Sequence, residues 1–428
     1  MVTNDSGTGG ELGFPRKKIQ SAGDRHWKIM HKGMSTLWGA GVVYTWLAII
    51  NIAEGSPAAV SRDPDPRGGP VVQETLRQVT ILMRHGERAP VDTYPKDPHI
   101  NDSMAPYGWG QLTNKGRVNV YNTGQYLRHR YDHFLGESYS PNKFWLQSTS
   151  SDRTKMTAMI LSSALWKPSE KQMFNPEIPW QPVVLHYWTR ADDQLLIIWN
   201  ACPKLTMKRL QVDNHPEVQK FNEENKKMFE EIESFTGKSI KSAEDLTDLY
   251  GTLHAESQMA NLVLPSWVKY YFPDKMLPSV IMSYSMNVFT EELTKLSGGP
   301  FVKKALRKMQ ERRNGTLTPE DRKMFAYVAH DSTVVNVLSA LNLWDGEPPG
   351  YSCMIIMELH EDNGGWNVQI FQRNAPDYET QPLKLNDCDI ACPLEKFAKI
   401  VESVLPGDYS EDCRVPDPNY KIPPPPPA

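Results

Sequence analysis

The chain alternates short apolar runs with longer amphipathic segments. Runs rich in β-branched and aromatic residues, the pattern of buried strands, occupy 79–83, 144–147, 183–187 and 324–329. Three of these runs are followed by a segment with one apolar helical face. The first segment begins after a candidate N-cap at Thr113, and the other two span 156–165 and 334–343. This order predicts an α/β fold, with an open, mainly parallel, doubly wound sheet flanked by helices.

Two stretches depart from this alternation. Strand patterns at 354–359 and 366–371 flank Asp362-Asn-Gly-Gly, which predicts a hairpin. Residues 200–289 are charged, helix-forming and poor in strand signals, with one candidate helix at 221–235. We therefore predict an α/β core formed by 71–199 and 290–415, into which a helical cap of residues 200–289 is inserted.

The two ends of the chain differ in composition from this core. Residues 1–33 are polar and basic, and 37–53 are apolar, so 34–55 is predicted to be a signal peptide or an uncleaved signal anchor that contacts a membrane through 37–53. Both alternatives place the folded part outside the cytosol. Met30 is a second candidate start, and translation from it would leave 1–29 untranslated. Residues 56–70 read as a Pro- and Gly-rich linker, and 416–428 as an extended Pro-rich tail.

Charge and cysteine content narrow the function. The net charge is −4, which gives no bulk attraction for nucleic acid, so an anion site has to be local. Of the five cysteines, Cys388 and Cys392 lie close enough to bridge. A zinc site there would need two further ligands, whereas a disulfide suits an exported chain. The odd number leaves at least one thiol unpaired.

Charged side chains follow the first two predicted strands. Arg84, His85 and Arg88 come directly after the run 79–83, and Arg153 lies beyond the run 144–147. The carboxyl ends of parallel strands meet at one edge of a sheet, where ligands bind. Guanidinium groups match phosphate oxygens, and an arginine near a helix start is disfavoured by the helix dipole. The pattern therefore predicts a phosphate site.

A third strand end supplies an acid. His330 and Asp331 follow the run 324–329. Inside an arginine cage His85 can attack phosphorus, and Asp331 can protonate the leaving alcohol and later accept a proton from water. No metal and no cofactor is required for this chemistry. We expect an acidic pH optimum, explained by a raised pKa of Asp331 or by protonation of His330.

These segments resemble the signatures of the histidine acid phosphatases. Arg84-His-Gly-Glu-Arg-Ala-Pro90 resembles the first signature, His330-Asp331 the second, and Ser151-Asp-Arg-Thr154 a third arginine element. The chain looks closest to the prostatic and lysosomal type, including secreted insect relatives. The resemblance implies a phosphoglycerate-mutase-like fold and a phosphohistidine mechanism. It assigns His85 as nucleophile and Asp331 as proton donor, with phosphate bound by Arg84, Arg88, Arg153 and His330.

The same resemblance bears on covalent features and assembly. It implies disulfides Cys202–Cys413 and Cys388–Cys392, and it leaves Cys353 free and buried because its family partner has no counterpart near Ala255. A homodimer is compatible with the family, although nothing in the sequence requires one. In an exported chain, Asn101-Asp-Ser and Asn314-Gly-Thr are glycosylation acceptors.

We therefore predict a secreted or lumenal acid phosphatase acting on a small-molecule or peptide phosphomonoester. One alternative is a substrate-dedicated relative such as a phytase or a lysophosphatidate phosphatase. Another is a catalytically silent secreted binding protein, against which the complete set of site residues argues. Four further histidines are interpreted as ordinary surface or core residues: His129, His133, His186 and His254.

Overall fold

The computed structural model describes residues 74–417 and 419–423. The predictions for 1–33, 34–55 and 56–70, the alternative start at Met30, and residues 424–428 of the tail lie outside the described residues. Across the described ranges, none of the helices combines the length and the apolar character needed to cross a bilayer.

One mixed sheet organises this part of the chain. Its strand order is β3-β2-β4-β1-β5-β6-β7, and β8 pairs with β6. The strands are β1 (Leu76–Arg84), β2 (Phe144–Ser148), β3 (Leu185–Tyr187), β4 (Met324–Ala329), β5 (Met354–Asp362), β6 (Gly365–Arg373), β7 (Gln381–Leu383) and β8 (Cys392–Pro393).

The half of the sheet formed by β3, β2, β4 and β1 is parallel, as predicted, and an antiparallel extension begins at β5. Arg84 at the end of β1 pairs in register with Ala329 at the end of β4. These two strands therefore release the chain at the same edge. The predicted hairpin joins β5 and β6 through Asn363 and Gly364, both at positive φ, as this turn type requires.

Helices cover the sheet and form the region between β3 and β4. They are α1 (Asn114–Leu135), α2 (Asp152–Leu165), α3 (Pro203–Val212), α4 (Pro216–Thr236), α5 (Ala243–Gln258), α6 (Leu277–Met286), α7 (Glu291–Ser297), α8 (Gly299–Arg313), α9 (Asp331–Ala340), α10 (Leu394–Val401) and α11 (Tyr409–Asp412). Single 3₁₀ turns occur at Glu170–Gln172, Val268–Tyr270 and Glu402–Val404.

Helix starts follow the local capping chemistry. Thr113 caps α1 as predicted, since its Oγ1 accepts a hydrogen bond from Gly116 N at 2.9 Å. The starts predicted at 156 and 334 are wrong, because α2 begins at Asp152 and α9 at Asp331. Each carboxylate lies in the first turn, where the helix dipole stabilises negative charge. Both helices therefore begin within a few residues of a strand end.

Apolar layers pack on both faces of the sheet. On β1, Val79, Ile81 and Met83 join one cluster with α1 and α2, while Leu82 joins the cluster formed with α8, α9 and α10. Alternate side chains of a strand point to opposite faces, so burial on both sides accounts for the uninterrupted apolar run.

Residues 200–289 contain α3 to α6 and no strand. Phe229 and Ile232 of α4 and Leu249 and Leu253 of α5 form an apolar cluster separate from the two on the sheet. Tyr94, from the loop after β1, packs into the same cluster. This arrangement supports the interpretation of the segment as a cap, which remains our proposal.

The cysteines are arranged as the resemblance implies. Cys202 is bonded to Cys413 and Cys388 to Cys392, whereas Cys353 is free and buried. The first bond ties the start of the cap region to the C-terminal part of the core across 211 residues. Both candidate glycosylation residues, Asn101 and Asn314, are exposed.

Candidate active site

The charged strand ends meet in one cavity of about 370 Å³ at the carboxyl edge of the parallel strands. All six residues predicted to act on phosphate line it: Arg84, His85, Arg88, Arg153, His330 and Asp331. Residues from three strand ends, separated by up to 247 positions from Arg84 to Asp331, thus form one constellation.

His85 is held directly after β1. Its backbone N–H donates to Ala329 O at 3.0 Å, and its ring Nδ1 lies 2.8 Å from Gly86 O. A carbonyl oxygen only accepts, so Nδ1 carries the proton and Nε2 keeps its lone pair. A side chain at Gly86 would place its Cβ 2.6 Å from Val120, which explains the glycine.

The electrostatic surroundings keep the His85 ring neutral. Burial disfavours the imidazolium, and the guanidinium groups of Arg153 and Arg84 repel it, so the pKa of His85 lies well below its usual value. An ordinary histidine would be protonated at pH 5. His85 therefore retains a nucleophilic nitrogen in acid.

His330 is also neutral, and its tautomer is fixed by its partners. Its Nδ1 accepts from Arg153 Nη2 at 3.3 Å, because a guanidinium only donates. Its Nε2 therefore donates to Thr149 Oγ1 at 3.1 Å, and that hydroxyl contacts Thr154 Oγ1 at 2.8 Å. Burial, followed by repulsion from Arg153, lowers the pKa of His330 to about 3.

Asp331 is the acidic member of the constellation. Its Oδ2 lies 2.7 Å from Arg84 Nη2, and its Oδ1 accepts from Ser332 N at 2.7 Å. Burial pushes the pKa of Asp331 upward, but the charge of Arg84 and the contribution of His330 outweigh burial and lower it. Before a substrate binds, the pKa of Asp331 is therefore not raised and His330 is not protonated near pH 5, and the origin of an acid optimum stays a prediction.

The arginines are individually anchored. Arg84 donates to Pro349 O at 2.6 Å and lies over the Tyr351 ring at 4.3 Å, while Arg88 donates to Ala89 O at 3.1 Å. The Nε atoms of Arg88 and Arg153 are buried without a hydrogen-bond partner among the described residues. Burial, and then repulsion by Arg88, lowers the pKa of Arg153 to about 10, so it remains cationic in acid. Fixed guanidinium groups converging on one cavity suit a tetrahedral oxyanion.

Sequence reasoning missed the residues that close the cavity on other sides. Tyr284 on α6 lines the cavity, where burial and then the charge of Asp331 raise the pKa of its hydroxyl, and Tyr351 lies 5.9 Å from His85, measured between ring centroids. The interpretation of His254 as an ordinary histidine is wrong, since it lines the cavity and stacks on Tyr351 at 5.1 Å. Arg190 also lines the cavity. Arg190 follows the predicted strand 183–187 by three residues, a signal that the sequence reasoning did not use, whereas Tyr284, Tyr351 and His254 lie in no motif and at no predicted strand end.

Comparison with known proteins gives a consistent result. The model of the histidine phosphatase superfamily (branch 2) matches residues 75–370. Rat (Rattus norvegicus) prostatic acid phosphatase is 34% identical over 344 residues, covering 79% of this chain and 89% of the relative. A venom acid phosphatase of Apis mellifera is 34% identical over 80% of this chain and 88% of its own length. Human (Homo sapiens) lysosomal acid phosphatase is 34% identical, with coverages of 81% and 82%.

Solved structures share the fold at low sequence identity. The apo form of Hafnia alvei phytase superposes with a TM-score of 0.59, at 15% identity over 80% of this chain and 98% of the phytase. Klebsiella phytase superposes with a TM-score of 0.55 at 16% identity, over 80% of this chain and 100% of that one. These likenesses concern the fold alone.

Proposed function

The chain belongs to branch 2 of the histidine phosphatase superfamily, and we propose that it is an acid phosphatase that hydrolyses phosphate monoesters through a phosphohistidine on His85. The observation that carries this proposal is the tautomer of His85. Its Nδ1–H is bound to Gly86 O, so Nε2 is the nitrogen left to react, in a cavity lined by arginines.

In the first step, Nε2 of His85 attacks phosphorus, the N–P bond forms and the P–O bond to the alcohol breaks. Arg84, Arg88 and Arg153 stabilise charge on the equatorial oxygens, and His330 adds a neutral contact. Asp331 gives its proton to the leaving oxygen. In the second step, water attacks the phosphohistidine, Asp331 takes the water proton, and inorganic phosphate leaves.

The low pKa of Asp331 and the role of Asp331 as an acid are reconciled by the substrate. Its carboxylate is held ionised mainly by Arg84, 2.7 Å away. A phosphate brings about −1.5 to −2 charges to the same arginines and repels the carboxylate. Substrate binding therefore raises the pKa of Asp331, and an acidic medium supplies the proton. We propose this as the origin of the acid preference.

We further propose an exported enzyme, secreted or lumenal, since its relatives carry prostatic, lysosomal and venom designations. Anchoring through 37–53 is the alternative. A small-molecule or peptide phosphomonoester is the proposed substrate, and glycosylation at Asn101 and Asn314 fits their exposure. The homodimer stays a prediction.

The decisive experiment replaces His85 by Ala and measures hydrolysis of p-nitrophenyl phosphate near pH 5. We expect a loss of at least about 10⁴-fold, because the covalent route disappears. Wild-type enzyme that is given ³²P-labelled substrate and quenched in alkali should carry a base-stable, acid-labile label that the variant lacks. The matched control is His129→Ala, an exposed histidine on α1. Turnover retained by His85→Ala would overturn the proposal, and wild-type protein without vanadate-sensitive turnover would favour the silent binding protein.

A further inference from the structure

The two walls of the cavity carry opposite chemistry. The sheet wall presents Arg84, Arg88 and Arg153, and Arg190, which follows β3, lines the same cavity. The wall formed by α5 and α6 presents hydroxyl, aromatic, apolar and acidic side chains. Among the cap residues that the structure places at this wall there is no lysine and no arginine; its charged residue is Asp248. Cations therefore surround the phosphate of a bound substrate, and the cap side of the cavity contributes none.

A row of rings runs from the nucleophile to the cap. His85 and Tyr351 are 5.9 Å apart between ring centroids, Tyr351 stacks on His254 at 5.1 Å and 19°, and His254 stacks on Tyr250 at 6.0 Å and 14°. Burial, and then repulsion by Arg84, lowers the pKa of His254 to about 4, so this row carries no positive charge above that pH. An aromatic lining beside the nucleophile suits an aromatic leaving group.

Asp248, on the same helix as Tyr250 and His254, lines the cavity with them. Its side chain reaches solvent at the mouth of the cavity, and Asp92 lines the same mouth. The charged groups that act on Asp248 are, apart from Lys238, carboxylates of Glu244, Asp245 and Asp92. Lys238 is itself engaged 3.7 Å from Asp92. The mouth is therefore net acidic.

We propose, resting on the phosphatase function above, that this site selects aryl monophosphates whose remainder is uncharged or cationic. The chemistry is that of phosphotyrosine in a basic peptide. Asp248 acts as the specificity-determining residue: it attracts cationic groups beyond the ring and repels a second anion, for which the cap wall offers no partner. Substrates with several phosphates, such as inositol polyphosphates, are disfavoured by the same wall.

The test compares two phosphotyrosine peptides that differ only in flanking lysines or glutamates, with p-nitrophenyl phosphate as the uncharged reference. With the full-length enzyme at pH 7, kcat/KM should favour the basic peptide by roughly tenfold, the size of one charge interaction across a partly solvated mouth. Asp248→Asn should reduce that ratio severalfold, and Asp248→Lys should invert it. Glu224→Gln, an equal charge change on exposed α4, should leave the ratio unchanged.

A pH series separates charge selection from altered packing. Desolvation at the mouth raises the pKa of Asp248 to about 6, and the carboxylates of Glu244 and Asp245 add to this shift. The wild-type ratio should therefore fall between pH 7 and pH 5, whereas that of Asp248→Asn should stay nearly flat.

Equal kcat/KM for the two peptides, or a ratio unaffected by both Asp248 variants, would overturn the specificity role while His85-dependent turnover of p-nitrophenyl phosphate still stood. Conversely, p-nitrophenyl phosphate turnover that survives His85→Ala would overturn the phosphatase mechanism itself. Thermal denaturation of each variant identifies any effect that arises from misfolding. Asp92→Asn is a second probe of the same mouth.

Discussion

Helix α5 separates two buried regions in which the pKa values of ionisable groups are shifted in opposite directions. On one side, His254 lines the arginine-rich cavity, and burial and Arg84 lower its pKa to about 4. Two residues later, Glu256 is buried in the cap, and burial together with the carboxylate of Asp97 raises its pKa to about 8. Residues two apart on a helix face away from each other, so α5 divides a cationic region from an acidic one.

The acidic region is a carboxyl pair. Asp97, itself buried, accepts from Thr93 Oγ1 at 2.5 Å and from His99 N at 2.7 Å. Burial, and then the nearby charge of Asp97, raises the pKa of Glu256, whose two carboxyl oxygens have no hydrogen-bond partner among the described residues. In both regions, clustered like charges favour the neutral form of an ionisable side chain. The cavity histidines and Glu256 are therefore uncharged in acid. Of these groups, Glu256 is the one that titrates as the medium becomes neutral.

The largest effect should come from the carboxylate inside the cationic region. Asp331→Asn should lower kcat for an alkyl phosphate by about 10²–10⁴-fold, because a poor leaving group needs its proton. The loss for p-nitrophenyl phosphate should be much smaller, since nitrophenolate leaves without protonation. Steady-state kinetics on both substrates check this, and equal losses on both would argue against the acid role.

Removing one positive charge from the cationic region should shift the pH–rate profile. Arg153→Gln should reduce kcat/KM by about 10²–10³-fold through lost charge stabilisation. It should also raise the pKa of His85, because repulsion by Arg153 is, after burial, the next cause of its depression. Protonation of the nucleophile then begins at higher pH, so the acid limb shifts upward. A pH–rate profile unchanged in shape would refute the electrostatic account, with Arg117→Gln, a half-buried arginine of α1 that does not line the cavity, as the control.

The acidic region should be visible in stability. The unfolded chain ionises Glu256 near its ordinary pKa of 4.5, whereas the folded chain holds the proton until about pH 8. A carboxyl pKa that is raised in the folded state gives stability that is complete below 4.5 and falls as the pH climbs to 8. We expect a loss on the order of 2–4 kcal/mol over that window.

Glu256→Gln should largely remove this slope, since an amide stays neutral and can donate to Asp97. Urea unfolding at pH 5, 6.5 and 8 measures the change, and exposed Glu224→Gln serves as the control. If Glu256→Gln loses stability with pH as steeply as the wild type does, the carboxyl pair is not its source.

The sequence predicted the cationic region because its residues follow strands. Arg84–His85 and His330–Asp331 come directly after apolar runs, and the edge at which they meet follows from the parallel order of β1 and β4. The pKa shifts could not be predicted, because the sign at Asp331 depends on a 2.7 Å contact with Arg84, 247 residues away.

No sequence pattern predicted the acidic region. Asp97 and Glu256 meet only because the loop after β1 packs against α5, a tertiary contact that no periodic pattern encodes. The same holds for Tyr284 and His254, whose places at the cavity depend on how the cap helices dock. The misplaced helix starts have a local cause, since Asp152 and Asp331 lie in a first turn, where the helix dipole stabilises negative charge, and each helix begins earlier than its apolar face.

The smallest expected effect concerns Cys353, a buried thiol close to the cationic region. Its carbonyl accepts from Arg84 N at 2.8 Å, yet burial raises the pKa of its thiol to about 12, so it stays neutral throughout the working range. The other four cysteines are paired. A thiol reagent should find no reactive group in the native enzyme and one per chain in denaturant without reductant, and none in Cys353→Ala. A native thiol that reacts quickly at pH 7 would show that Arg84 activates the sulfur, and that closeness to the cationic region outweighs burial here as it does at Asp331.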